Sequence, residues 1–176
     1  MSGASFKTID RGKARIQKQL ELAAKHVALV GVPHNAEQPL KDDGTPAGIN
    51  MASLAFIMEK GSEVNKIPAR PFMQRTRQRA KGAFQKLLRK YYQAIVNGKL
   101  GALKALKNLG EAYEGAMKET FVVETFAPNS PITINGGWMR NKVSGKVFKV
   151  EPKKSSRPLI NNGRLRQSII HKVAKI

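Results

Sequence analysis

The chain has no cysteine among its 176 residues. This absence excludes disulfides, thiolate nucleophiles and cysteine-bound zinc, and it favours a reducing compartment or a particle assembled inside one. No apolar run approaches the ~18 residues that a membrane-spanning helix needs. Residues 1–17 also lack the apolar centre of a signal peptide. The sequence therefore predicts no membrane partner.

Aromatic and acidic residues are scarce as well. Aromatics make up 6% of the chain and hydrophobic residues 41%, which predicts a modest core of Ala, Leu, Ile and Val, with part of the chain ordered only by neighbours. Only 12 acidic residues oppose 32 Lys and Arg, so the net charge is +20. So large a charge costs self-repulsion in a free monomer, and it indicates a polyanion or an acidic protein as partner.

The basic residues are concentrated in two segments. Residues 70–90 contain eight basic side chains and no acid, and residues 140–172 contain ten and one acid, Glu151. The first segment is either a face that contacts phosphates without sequence preference, or a face that is solvated or docks on an acidic neighbour. Its candidate contacts to DNA or to an acidic partner are Arg75, Arg77, Arg79, Lys81, Lys86, Arg89 and Lys90.

Hydrophobic periodicity and turn residues predict an α+β fold. Residues 1–176 are expected to form a single domain, in which a small mixed β-sheet packs against two or three helices. Residues 129–157, with two alternating stretches between glycine-containing turns, predict an extended β-hairpin or arm. The expected helices cover residues 8–26, 50–60, 74–96 and 100–120, with a helical turn at 163–167, and the expected strands cover 27–32, 67–73 and 168–173. Residues 33–50 read as a loop, and a strand remains an alternative for 50–60 because of Phe56 and Ile57.

The sequence shows no arrangement typical of catalysis. His26, His34 and His171 lack metal-ligand spacing, and no phosphate-binding loop or nucleophile elbow is present. His26 is expected to cap a helix or lie on the surface, and His171 to face solvent from a strand. The sequence therefore predicts no enzyme activity, no catalytic residue, no metal and no cofactor.

The segment "IPARPFM", residues 67–73, combines two prolines with a cation and an aromatic ring. Pro68 and Pro71 fix the backbone before binding and cannot donate to a sheet ladder, so the segment is expected at a sheet edge. Arg70 offers a planar fork to a carboxylate or a backbone carbonyl. One interpretation is a stiff edge that orients the next helix and contacts another subunit. The alternative is that Phe72 fills the core and that Arg70 pairs with Glu59.

Four segments in order carry a resemblance to a known family: "VALVGVP", "NMASLAFIMEKGSEVNKIPARPFM", "LKNLGEAYEGAMKETFVVETFAPNSPIT" and "RPLINNGRLRQSI". Together they resemble the tail-completion or neck proteins of long-tailed bacteriophages, the group with the Mu-type virion morphogenesis proteins and the HK97-type tail components. The resemblance spans about residues 27–173. The matching positions are Ala55, Glu59, Gly61, Pro68, Arg70, Pro71, Phe72, Leu159, Gly163, Leu165, Ser168 and Ile169. The chain departs from the family pattern at Lys60 and Asn162, and in a longer stretch at 133–157.

The resemblance implies a structural virion protein at the head–tail neck or at the top of the tail. It implies a homo-oligomeric, hexameric ring around the DNA channel and contacts with the connector, the tail terminator and the tail tube or sheath. The protein would be found in the virion, and in the host cytoplasm during assembly. Candidate interface residues are Glu59, Arg70, Pro71, Phe72, Trp138, Arg140 and Phe148.

Two further expectations follow. A nonspecific DNA-binding protein, in which the basic surface is itself the function, is the alternative function. In the leading interpretation, Arg70→Ala is expected to impair assembly more than folding.

Overall fold

The computed structural model describes residues 12–36, 48–141, 144–153, 156–160 and 163–176. The helices are α1 (Lys13–Ala24), α2 (Met51–Lys60), α3 (Phe72–Val96), α4 (Ala102–Val123), α5 (Pro131–Asn135) and α6 (Arg164–Gln167). The strands are β1 (His26–Gly31), β2 (Gly137–Arg140), β3 (Val147–Val150) and β4 (Ile170–Lys175). These elements confirm the predicted α+β class.

The long helices follow the predicted periodicity to within a few residues. For α2 the helical interpretation is confirmed over the strand, because the Asn50 side chain caps its first turn by accepting a hydrogen bond from the Ser53 amide at 2.7 Å. The first helix is described from Lys13 onward. The predicted part at 8–11 and residues 37–47 of the predicted loop lie outside the described residues.

The described strands form two separate antiparallel pairs rather than one mixed sheet. Strand β1 pairs with β4, and β2 pairs with β3 in a local hairpin. The predicted strand at 67–73 is wrong, since only a bridge between Ser62 and Ile67 forms there and α3 begins at Phe72. Prolines 68 and 71 have no amide hydrogen to donate, and the Arg70 amide donates instead to the Met58 carbonyl at 2.7 Å.

Helices α3 and α4 are joined by a buried polar contact. Thr76 and Thr120 are fully buried, and their hydroxyl oxygens lie 2.8 Å apart. Each hydroxyl oxygen also lies within 2.9 Å of a carbonyl one turn back in its own helix, that of Phe72 or that of Ala116, so two hydroxyl hydrogens serve three contacts. Arg79 donates a further hydrogen bond to the Thr120 hydroxyl at 3.2 Å. Because both hydroxyls have partners, neither carries the cost of an unsatisfied buried polar group.

The main core lies beside this contact, and it is richer in aromatic and methionine side chains than the composition predicted. Phe72 and Phe121 pack with ring centroids 4.8 Å apart. The buried cluster comprises Met51, Ala55, Phe72, Met117, Phe121, Phe126, Leu165 and Ile169. The expectation of a core built from Ala, Leu, Ile and Val is therefore wrong for this cluster, because few aromatics in the whole chain does not mean few in the core. It is correct for a second buried cluster, which comprises Ile95, Ala102 and Ala105.

The β1–β4 pair approaches α4 closely at a glycine. A Cβ on Gly110 would lie 3.1 Å from the His171 Cβ, so a larger residue would push the sheet away. One turn further on, Glu114 accepts hydrogen bonds from His171 and Lys118. Burial alone would raise the pKa of Glu114, but these bonds outweigh it and lower the pKa. His171 is thus a partly buried partner of α4, which corrects the expectation that it faces solvent.

Helix α1 is attached at the connection between α3 and α4. Arg15 donates to the Val96 carbonyl at 3.2 Å, at the end of α3, and the Gln19 side chain accepts from the Ala102 amide at 2.7 Å, at the start of α4. Both contacts satisfy backbone groups that helix ends leave without intrahelical partners. His26, just after α1, lies 2.7 Å from the Leu22 carbonyl through Nδ1, in line with the predicted capping role.

Gly61 is the glycine on which the corner between α2 and α3 depends. Its φ of +78° and ψ of −178° are open almost only to glycine. An added Cβ would lie 2.8 Å from both the Ile67 carbonyl oxygen and the Ala69 nitrogen. We predict that Gly61→Ala lowers the free energy of unfolding by about 2–4 kcal/mol, measured by urea denaturation.

Gly82 gives the matched control. It lies within α3, and an added Cβ there would meet nothing within 4 Å, so Gly82→Ala should raise stability by about 0.5–1 kcal/mol through helix propensity. Equal effects of the two substitutions would contradict this account of the corner.

Candidate interaction surface

The described part of the predicted arm includes the β2–β3 hairpin, whose strand residues are exposed except for the last. Trp138 is 70% exposed and Phe148 45% exposed. Met139 pairs with Phe148 across the strands, and Arg140 pairs with Val147; all of these side chains are exposed. Three predicted interface residues, Trp138, Arg140 and Phe148, therefore lie together on one two-stranded element. So many apolar side chains on one small hairpin are typical of a surface that a partner covers.

Backbone contacts at both ends hold the hairpin in a defined shape. At its tip the Asn141 amide donates to the Lys146 carbonyl, and the Asn141 side chain accepts from the Ser144 amide at 2.9 Å. At its base the Lys153 amide donates to the Thr133 carbonyl at 3.0 Å. Gly136 has a φ of +75°, which favours glycine, and it lets the chain turn directly from α5 into β2.

Arg70 connects the "IPARPFM" segment to the base of the arm. Its Nε donates to the Ala127 carbonyl and one terminal nitrogen donates to the Pro128 carbonyl, both at 2.9 Å. The side chain is only 6% exposed, and burial lowers the pKa of its guanidinium. Arg70 thus bonds backbone carbonyls of its own chain, one of the two acceptor types predicted for it, rather than Glu59.

Glu59 has a different role from the ion pair that the sequence suggested. Its carboxylate accepts from the amides of Met73 at 2.8 Å and Gln74 at 3.0 Å. These are unpaired amides of the first turn of α3, where the helix dipole also favours a negative charge. Glu59 therefore fixes the start of the 25-residue helix α3 relative to the end of α2.

Phe72 and Pro71 also belong to the interior side of this corner. Phe72 has 0% exposure, so its ring belongs to the core, as the alternative interpretation held, and not to a surface. Pro71 is partly buried and immediately precedes α3, where a fixed φ suits the helix start. Among the predicted interface residues, Glu59, Arg70 and Phe72 therefore stabilise the structure below the surface. The exposed hairpin residues Trp138, Arg140 and Phe148 form the surface itself.

The basic residues of α3 divide into two groups. Arg75 lies 3.7 Å from Glu124, and Arg79 lies 3.0 Å from Glu119 and also donates to the Ala116 carbonyl. These two arginines therefore already have partners on α4 or just after it. The remaining predicted contacts to DNA or to an acidic partner are exposed on α3: Arg77, Lys81, Lys86, Arg89 and Lys90.

A cavity of about 650 Å³, here called the hairpin groove, opens between α2 and the hairpin. Its volume lies in the range of pockets that enclose drug-sized ligands. Met58 of α2 and Met139 and Phe148 of the hairpin contribute apolar wall, and Arg70 and Lys153 contribute positive charge. Burial, followed by the nearby charge of Arg70, lowers the pKa of Lys153 to about 8. Its Nζ donates to the Arg157 carbonyl at 2.6 Å.

Sequence reasoning missed this groove. Its walls come from residues within 51–70, 129–141, 148–153, 159 and 163–165, and nothing in the sequence indicates that these segments meet. Lys153 stands in the basic segment 140–172, where nothing in the sequence distinguishes it from the other cations. The described part of the chain contains no cluster of three or more His, Cys, Asp or Glu suited to a metal ion. Among the residues described, no helix is long and apolar enough to span a bilayer.

Because Arg70 is buried, we now expect its loss to destabilise the fold, rather than to affect assembly more than folding. We predict that Arg70→Ala lowers the free energy of unfolding by about 2–4 kcal/mol, because the Ala127 and Pro128 carbonyls lose charged donors inside the protein. Arg70→Lys should recover only part of this loss, since an ammonium does not reproduce the planar fork. Urea denaturation measures both.

Arg75→Ala is the control for that prediction. Arg75 is half exposed and its ion pair with Glu124 is long, so its removal should change stability by less than about 1 kcal/mol. An Arg70→Ala protein as stable as the Arg75→Ala protein would show that the carbonyl contacts do not hold the arm.

Comparison of the chain with protein-family models, with curated proteins and with solved structures finds no match.

Proposed function

We propose that the chain is a structural subunit of a tailed-bacteriophage virion, located at the head–tail neck or at the top of the tail. In this proposal it forms a homo-oligomeric ring, with six copies as the expected number, and joins the connector to the tail terminator, tube or sheath. It has no catalytic residue and no cofactor. It is present in the host cytoplasm during assembly and afterwards in the virion.

The exposed hairpin is the observation that carries the proposal. Trp138 and Phe148 are large apolar side chains on a hairpin whose tip and base are both held by hydrogen bonds. A shaped element that exposes such side chains is typical of a surface completed by a neighbour, and pre-organisation lowers the entropy cost of binding. A ring or stack of subunits supplies that neighbour.

The residues that carry the family resemblance give further support, because they converge in space. Ala55, Phe72, Leu165 and Ile169 come from distant parts of the chain and lie in one buried cluster. Glu59 and Gly61 shape the corner beside it. The motif positions thus correspond to a common structural unit, as expected if the resemblance reflects a shared fold.

A nonspecific DNA-binding protein remains the second candidate. The exposed cations of α3, together with a net charge of +20, favour contact with a polyanion. Arg75 and Arg79 contribute less to such a face, because they lie against the acidic residues Glu124 and Glu119. In the leading proposal the same face contacts genomic DNA in the channel or an acidic neighbouring ring.

We predict that the double variant Trp138→Ser with Phe148→Ser keeps the fold but loses self-association. Both side chains are exposed in the single chain, so thermal unfolding should change by only a few degrees, at about 2–4 °C per kcal/mol for this length. Sedimentation velocity over a range of concentrations should show assembly for the wild-type chain and its loss in the variant.

Tyr92→Ser is the matched control, because Tyr92 is also an exposed aromatic residue but lies on α3. It should assemble like the wild-type chain. A wild-type chain that stays monomeric at every concentration and is absent from purified virions would contradict the proposal.

A second experiment separates the two candidates. If nonspecific DNA binding is the function, the wild-type monomer binds random duplex DNA with an affinity that falls steeply with salt. The variant Lys86→Gln, Arg89→Gln, Lys90→Gln should then flatten the slope of log K against log salt by up to about 2.7, at roughly 0.9 per lost phosphate contact. If the chain is a ring subunit, we expect the triple variant to assemble normally, as judged by sedimentation velocity.

A further inference from the structure

The guanidinium of Arg70 is only partly used by its contacts with the arm. Nε and one terminal nitrogen reach carbonyl oxygens, and the same terminal nitrogen lies 3.5 Å from the Asn129 side-chain oxygen. The other terminal nitrogen contacts the Met58 sulfur at 3.7 Å. A thioether is a weak acceptor, so this end of a side chain that is 6% exposed keeps donor capacity where it lines the hairpin groove.

Lys153 places a second cation in the same groove. Burial has the larger effect in lowering the pKa of Lys153, and the nearby positive charge of Arg70 lowers that pKa further. Glu151 also lines the groove, but its carboxylate lies 3.0 Å from Lys149. Glu59 accepts hydrogen bonds from the first amides of α3. The two cations are therefore not balanced by these acids, and an incoming anion would stabilise both.

The groove combines this charge with apolar walls and unusual backbone. Met58, Met139 and Phe148 line it, and methionine side chains adapt readily to different apolar partners. Lys66 and Leu159 also line it and have φ of 51° and 64°, the two positive values among described residues other than glycine. Such conformations are uncommon and cluster at functional sites.

We propose that the hairpin groove binds an extended acidic peptide segment. One carboxylate of the segment meets the free end of Arg70 and Lys153, and apolar side chains on either side of it pack against Met58, Met139 and Phe148. This site shares Phe148 with the proposed ring interface on the hairpin, but Trp138, on the other face of the two strands, does not line it. The site exists whether or not the chain forms a ring.

The hairpin is the reason to choose a peptide over another anion. Strands β2 and β3 pair only with each other among the described strands, so each has an outer edge with backbone groups available for a third strand. An extended peptide can add there and place alternate side chains into the groove. A fatty acid or a free phosphate has no backbone to pair with that edge.

The test uses the full chain and three capped pentapeptides with a neutral fluorophore, measured by fluorescence polarisation in about 0.15 M salt to screen long-range attraction. The first probe is Val-Thr-Glu-Thr-Leu, in which the Val, Glu and Leu side chains share one face of an extended strand. The second replaces Glu by Gln, and the third, Gly-Ser-Glu-Ser-Gly, keeps the charge but removes the apolar side chains. We expect measurable binding of the first probe only, with each change weakening affinity by about tenfold or more.

Variants of the protein locate the binding. Lys153→Gln and, separately, Phe148→Ser should each weaken the first probe by about tenfold, with circular dichroism confirming that each variant folds. Lys86→Gln removes an exposed lysine of α3 outside the groove, and it should change affinity by less than about twofold.

Four results would overturn the proposal. Equal binding of the first and third probes, or an equal effect of Lys86→Gln and Lys153→Gln, would reduce the interaction to the general attraction of a +20 chain for acids. No binding of the first probe would exclude the peptide. Groove-dependent binding of decanoate without binding of the first probe would show that the occupant is a small amphiphile.

Discussion

The contact between Arg70 and the carbonyls of Ala127 and Pro128 is the constraint that positions the arm and its exposed hairpin. It joins the chain before α3 to the chain after α4, across 57 and 58 residues of sequence. The same corner contains Glu59 at the start of α3 and Gly61 at the end of α2. Because the arm begins at this corner, the position of the hairpin follows from a few backbone contacts rather than from a large apolar interface.

Four acidic residues have partners within the chain, whereas several cations of α3 remain exposed. Glu59, Glu114, Glu119 and Glu124 each contact groups within the chain: helix amides, His171 and Lys118, Arg79, and Arg75. The net charge of +20 is therefore not neutralised locally at the exposed lysines and arginines of α3 that lie outside these contacts. The positive field of such a surface steers acidic partners and polyanions toward it.

Much of the local structure could be predicted from the sequence, because it depends on local periodicity. The apolar residues of α3 and α4 recur at helical spacing, and glycine-containing turns marked the hairpin. The helical turn at Arg164–Gln167 lies within the predicted range 163–167.

What could not be predicted depends on which distant segments meet. The sequence allowed Arg70 either a carboxylate or a carbonyl, and only the fold shows that carbonyls of residues 127 and 128 lie within its reach. His171 alternates with apolar residues like a solvent-facing side chain, yet it lies over Gly110 beside Glu114. The hairpin groove has the same origin, because three segments form it and nothing in the sequence of any one of them indicates that the other two lie beside it.

The single tryptophan of the chain, Trp138, stands on the hairpin with most of its ring in solvent. Indole emission shifts to shorter wavelength when the ring leaves water. The protein thus has an intrinsic optical reporter at the surface where a neighbour is proposed to dock, with no second indole to obscure its signal. Docking and release at the hairpin can be followed in real time on the unlabelled chain.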